Sequence, residues 1–225
     1  MAEGAPVWIT RARPGAEATA DRVRALGFTP IIDPLLAVEA LDVEIDLDHV
    51  AALAFTSANG VDAFARLHDA RHLPVFAVGR ATARAAESVG FPSVSSADGD
   101  VEDLARLVVG AAGGPVLWAG AKEPAGDLVG LLRDCGVMAH GVAVYETVER
   151  GPSETTLAAA TTVLLHSPRA ARALARILTS RPTPNLRCLC LSKAVAAPLA
   201  GLVEPGSVAV APRPDESAML ELLTA

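Results

Sequence analysis

An α/β protein of two doubly wound lobes, each built on a parallel sheet, is predicted by three observations. Short β-branched and apolar runs alternate with stretches such as "GAEATADRVRALG" and "VEDLARLVVGAA", whose apolar positions recur at three and four. That alternation is the pattern of right-handed βαβ units. The apolar runs number ten, twice the complement of one five-stranded doubly wound sheet. The chain also repeats itself, weakly but in order, from end to end.

The elements follow along the chain. Strands are predicted at 7–10, 31–33, 52–55, 75–78 and 93–95 in the first half. The second half has them at 116–119, 138–140, 162–166, 187–191 and 207–211. Helical patterns fill most of the intervals, and Asp98 and Asp100 are placed to cap the helix from 101 onward. Two segments break the rhythm: "PLLAVEAL" (34–41) and "GVAVYETV" (141–148) run on past a strand with no helix attached. In the repeat, "VWITRARPG" matches "VLWAGAKEPAG", setting Arg13 on Lys122 and Gly27 on Gly136. Ser57 falls on Ser167, Arg80 on Lys193 and Asp100 on Asp215, and the halves meet near residue 112.

The rhythm-breaking segments align with each other in the repeat. They are read as a two-stranded β-ladder, 37–42 with 141–148, joining two flavodoxin-like lobes. The middle block, 43–140, forms an inserted lobe, and 1–36 joins 149–225 in a discontinuous one. Such an arrangement predicts a ligand cleft between lobes.

Composition narrows the partners. A net charge of −7 argues against nucleic acid, though local donors can still serve a small anion. "MAEGAPVWITRAR" lacks a basic segment followed by an apolar one, so no leader is expected. The most apolar stretch is broken by Gly113-Gly114-Pro115 and does not read as a membrane span. A cytoplasmic chain is expected, with Cys135, Cys188 and Cys190 as reduced thiols, the last two on one face of a strand. No long apolar surface stripe calls for a partner, so a monomer is expected.

In doubly wound sheets, ligands sit at the carboxyl ends of the strands, where helices begin. Those junctions carry Thr10, Arg11, Thr56, Ser57, Asn59, Gly79, Arg80 and Thr82 in the first half. In the second they carry Lys122, Ser167, Arg169, Ser192 and Lys193, and Lys122 and Lys193 are the chain's only lysines. Ser, Thr and Asn are ordinary helix caps. Cations are disfavoured at helix N-termini, yet recur here. The set is read as a surface for several carboxylates or phosphates.

Other chemistries lack their motifs. There is no G-x-G-x-x-G after the first strand, no phosphate-binding P-loop and no G-x-S-x-G elbow. The five histidines are scattered, and His68 and His72 are read as a surface pair rather than metal ligands. Trp8 and Trp118 are read as core. Tyr145, the only tyrosine, lies in the second connector segment and is read either as a proton donor or as a packing residue.

The ordered set "ITRARPGAE", "AFTSANGVDAF", "VFAVGRATARAAESVGF", "DGDVEDLARLV", "VAVYETV" and "LLHSPRAARAL" resembles uroporphyrinogen-III synthases over nearly the whole chain. The resemblance implies two α/β lobes joined by a β-ladder, with hydroxymethylbilane, a linear tetrapyrrole of eight carboxylates, as substrate. It implies loss of the terminal hydroxyl, a spirocyclic intermediate, inversion of ring D and closure to uroporphyrinogen III, with no metal or organic cofactor. It also suggests hand-over of substrate from hydroxymethylbilane synthase. By position it assigns Thr56, Ser57, Thr82 and Ser167 to the cleft lining and Tyr145 to departure of the hydroxyl. At "LCLSKAVAAPL" the sequence departs from the family's Gly-x-x-Thr, holding Ser192 and Val195 instead, so Ser192 or Lys193 stands in for the missing contact. A non-catalytic binding protein for a small polyanion is the other reading of the same donors.

Overall fold

A computed structural model describes residues 4–13, 15–183, 185–204 and 206–224. Residues 1–3, within the segment read for a leader, lie outside that set. The chain divides into two compact units, one of residues 1–37 with 148–225 and one of residues 38–147.

The first unit holds β1 (Pro6–Ile9), α1 (Gly15–Ala25), β2 (Thr29–Ile32), α6 (Glu154–Ala159), β9 (Thr162–Leu165), α7 (Pro168–Ser180), β10 (Arg187–Cys190), α8 (Lys193–Ala196), β11 (Val208–Val210) and α9 (Glu216–Glu221). Its strands pair in parallel in the order β11-β10-β9-β1-β2. Counted within the unit this is the 2-1-3-4-5 succession of flavodoxin-like sheets. Val7, Trp8 and Ile9 are fully buried, as expected of a central strand covered on both faces. One layer gathers Trp8, Val163, Leu174 and Cys188, and the other Val7, Ile9, Leu164 and Met219.

The second unit holds β4 (Ala52–Phe55), α2 (Ala58–Leu67), β5 (Val75–Ala77), α3 (Arg80–Ser88), β6 (Val94–Ser96), α4 (Val101–Ala111), β7 (Val116–Ala121), α5 (Leu128–Asp134) and most of β8 (Ala139–Glu149). A further strand, β3 (Leu36–Ala40), lies on the β8 edge, and the sheet runs β3-β8-β7-β4-β5-β6. Leu41 N donates to Val144 O and Arg150 N to Leu35 O, so β3 and β8 run antiparallel. The other pairs are parallel.

The two successions, β6-β5-β4-β7-β8 and β11-β10-β9-β1-β2, are one arrangement entered at different points. The strands that the repeat equates stand in equivalent places. The helix caps repeat as well. Ser57 and Ser167 accept from the N–H three residues on, as do Asp100 and Asp215.

Predicted and observed strands agree to within two residues, apart from one merger. The strand expected at 138–140 and the connector expected at 141–148 are one continuous β8. Asp98 does not cap α4. It turns the chain at φ 53° and binds Arg80 and Ser96, leaving the cap to Asp100.

Candidate functional site

In the second unit the strand succession reverses between β4 and β7, and ligands favour the carboxyl ends at such a point. A pocket of about 470 Å³ opens there. Thr56 and Ser57 at the end of β4, Val101 on α4, the segment 123–126 after β7, and Tyr145 on β8 all line it.

Tyr145 reaches this place through an irregularity. Gly120 pairs with Ala143, but Ala121 pairs with Tyr145, so β8 carries one extra residue. Val142 and Val144 pack in the layer that holds Phe55 and Phe64, and regular alternation would send Tyr145 to the opposite face. With the shift, Tyr145 joins Val144 in that layer, where α2 packs. Its ring is buried, and its hydroxyl lies 2.9 Å from Ser57 Oγ.

Ser57 owes its position to α2. Its Oγ accepts from Gly60 N at 3.2 Å as the helix cap, and its hydroxyl keeps both a proton and a second lone pair for the bond with Tyr145 Oη. Gly60 is required there, because a Cβ would lie 2.8 Å from the Ala119 carbonyl oxygen. Thr56 Oγ1 accepts from the Trp118 indole N–H at 3.2 Å. Trp118 is therefore core and site support together, and its ring fits because Gly120 and Gly141 flank it without side chains.

The remaining expected residues are more scattered. Thr82 is buried in the first turn of α3, and a Cβ on Gly79 would meet open space, so glycine keeps the N-terminus of α3 uncovered. Asn59 and Arg80 are exposed, and Arg80 pairs with Asp98 at 3.1 Å. Lys122 pairs with Glu146 at 3.0 Å.

In the first unit the corresponding point lies between β9 and β1. Thr10 is fully buried, and its hydroxyl donates to Leu164 O at 2.7 Å, which ties the two strands. Ser167 caps α7, and Arg169 stands in the first turn of that helix. Ser192 caps α8 with Val195 N at 3.4 Å, Val195 is core, and Lys193 is exposed.

Arg11 instead meets a cluster invisible in the sequence. Arg11 Nη1 donates to Glu216 Oε1 at 3.2 Å, and Arg22 Nη1 to Glu216 Oε2 at 2.6 Å. The Thr19 hydroxyl and His166 Nε2, the latter at 3.1 Å, also reach Oε1. Burial pushes the His166 pKa down, as does the Arg11 charge, while Glu216 opposes. The Nδ1 of His166 is buried without a partner, which fits a neutral ring donating from Nε2. Burial opposes ionisation of Glu216, yet the Thr19 and His166 hydrogen bonds hold its pKa below the ordinary value.

Among the described residues no helix is long and apolar enough to cross a membrane. No curated protein matches the chain. The structure resembles a uroporphyrinogen-III synthetase from Helicobacter pylori, with TM-score 0.66, 20% identity and 98% of each chain covered. It also resembles a mutant uroporphyrinogen III synthase from Thermus thermophilus, with TM-score 0.53, 19% identity and 98% of each chain covered. At these identities the likeness is one of fold. The family model described as uroporphyrinogen-III synthase HemD matches residues 17–221. A match over that much of the chain places it in the uroporphyrinogen-III synthase family, the cyclising lyases of tetrapyrrole biosynthesis.

Proposed function

We propose that the chain cyclises hydroxymethylbilane to uroporphyrinogen III with Tyr145 as the group that assists departure of the terminal hydroxyl. The observation that carries this is the hydroxyl pair Tyr145 and Ser57, 2.9 Å apart, at the strand-end pocket of the second unit. Gly60 N–H holds one lone pair of Ser57, and in the proposed reactive arrangement Ser57 is the donor to Tyr145 Oη. The phenolic proton is then directed to the substrate. It passes to the departing hydroxyl, which leaves as water while the pyrrole nitrogen supplies the electron pair. The azafulvenium cation that remains closes spontaneously to the unrearranged isomer unless ring D is turned. Attack through the substituted α-carbon of ring D gives the spirocycle. Its bond to the ring C bridge then breaks, the bridge carbon re-forms its bond at the other, free α-carbon of ring D, and the proton released there restores the Tyr145 phenol.

The protein's task is chiefly orientation of a flexible chain, with charge stabilised by fixed donors. Thr56, presented by Trp118, Thr82 in the first turn of α3 and the open N-terminus at Gly79 bind carboxylates. Asn59, Arg80 and Lys122 add contacts in the second unit, and Arg169, Ser192 and Lys193 offer donors at the strand ends of the first unit. The chain works as a cytoplasmic monomer and takes its substrate from hydroxymethylbilane synthase before spontaneous closure intervenes.

Product isomer analysis tests the reading. Fresh hydroxymethylbilane is supplied, and the oxidised products are separated. Type III uroporphyrin in excess is the expected outcome. Type I alone, at the spontaneous rate and from folded protein, refutes it.

A further inference from the structure

Glu216 stands where the first unit would hold a ligand. Its carboxylate lies at the reversal point between β9 and β1, beside His166 after β9 and Arg11 after β1. The residue equivalent to Glu216 in the second unit is Val101, one past the cap Asp100 as Glu216 is one past Asp215. Val101 lines the open pocket, whereas the Glu216 carboxylate is held by Arg11, Thr19, Arg22 and His166 at the equivalent strand ends.

Two guanidinium groups, an imidazole N–H and a hydroxyl converge on this one carboxylate. The Arg11 guanidinium lies over Gly15, where a Cβ would come within 2.6 Å of Nη2 and oblige the side chain to shift. The place is also within reach of solvent, since the Glu216 side chain is 20% exposed, Arg11 38% and Arg22 42%.

We propose that Arg11, Arg22, Thr19 and His166 form a carboxylate subsite of the first unit, which Glu216 occupies in the unliganded chain and yields to an alkyl carboxylate of the substrate. The identity of that carboxylate as one borne by the tetrapyrrole rests on the function proposed above. An internal occupant lowers apparent affinity by the fraction of time it holds the site. It also keeps two cations paired on a surface that would otherwise repel itself. Arg22 comes from the last turn of α1, not from a strand end, and is the specificity-determining addition.

The test compares wild type, Glu216→Ala, Glu216→Gln and Arg22→Gln. Thermal melting is followed with sodium propionate against sodium chloride at equal ionic strength. Propionate is expected to stabilise Glu216→Ala, whose cradle is vacated, and to leave wild type unchanged. In the kinetic arm, Glu216→Gln keeps the shape and loses the competing charge, so its KM for hydroxymethylbilane is expected to fall severalfold. Arg22→Gln is expected to raise KM about tenfold, the scale of one charge-assisted hydrogen bond. A cooperatively melting Glu216→Ala that ignores propionate overturns the subsite. A KM that rises or stays unchanged in Glu216→Gln overturns the displacement and leaves Glu216 as a structural tie. Should Glu216→Ala not fold, the isosteric variant decides alone. Absence of type III product from wild type would remove the tetrapyrrole as ligand, and the propionate result would then decide the cradle by itself.

Discussion

Tyr145 and Ser57 share one hydrogen bond, but their removal is expected to read differently. Tyr145→Phe keeps the buried ring and deletes the proton, so kcat should fall about 10²-fold, the scale of general-acid assistance, with KM little changed. Ser57→Ala removes the group that orients the phenol and also a helix cap, for a smaller loss in kcat and about 1 kcal/mol of stability. Steady-state rates with isomer analysis check both, and unchanged turnover in Tyr145→Phe would remove its role. His166 gives a pH dependence. Its folded pKa lies below the ordinary 6.5, so the unfolded chain binds the proton more readily. Its contribution to stability is complete above about pH 6.5 and is lost as pH falls towards the folded pKa. Glu216, also depressed, adds a further loss at lower pH, as the medium falls below the ordinary carboxylate range. Urea midpoints are therefore expected to drop between about pH 7 and 5, and to drop less in His166→Gln. The thiols divide by burial. Cys188 and Cys190 are both raised to about 12 by burial, while Cys135 is exposed. Iodoacetamide should modify Cys135 in the native chain and reach the other two only on unfolding, as mass spectrometry would show.

At the scale of elements, close approach decides what can be changed. α2 lies so near β7 that Gly60→Ala drives a Cβ into the Ala119 carbonyl, a backbone atom that cannot step aside. The expected cost is about 1–3 kcal/mol, seen as a lower melting temperature. The positions of the strands were legible because each is a short apolar run bounded by turn residues, as "ALAF" at 52–55 shows. The helix starts were legible from Ser57, Ser167 and Asp100, each a cap ahead of an apolar period. The irregularity in β8 was not. An extra residue in mid-strand leaves the same apolar run it would leave without it, so Tyr145 could be placed on the connector but not on a face. The cradle around Glu216 was equally hidden, because its donors come from α1, the end of β1 and the end of β9 with no local pattern. The one available signal was the repeat itself, which sets Glu216 against Val101.

For the whole molecule, the internal repeat proved the most informative feature of the sequence. It anticipates the common strand succession of the two sheets, since equated strands stand in equivalent positions. The units differ in continuity: residues 38–147 form one from a single stretch, while the other draws on both ends. The segment 38–147 made alone is accordingly expected to melt cooperatively in circular dichroism, whereas 148–225 without 1–37 is not. A timetable follows for synthesis. The ribosome delivers β1 early and β9 only after the entire second unit. Through that interval β1, whose Val7, Trp8 and Ile9 are all destined for complete burial, has β2 on one flank and nothing on the other. An open apolar edge of this kind templates association with other chains. A pause in translation anywhere between β4 and β8 thus lengthens the life of a half-built sheet, and the yield of folded protein is set by how quickly the distant strand arrives.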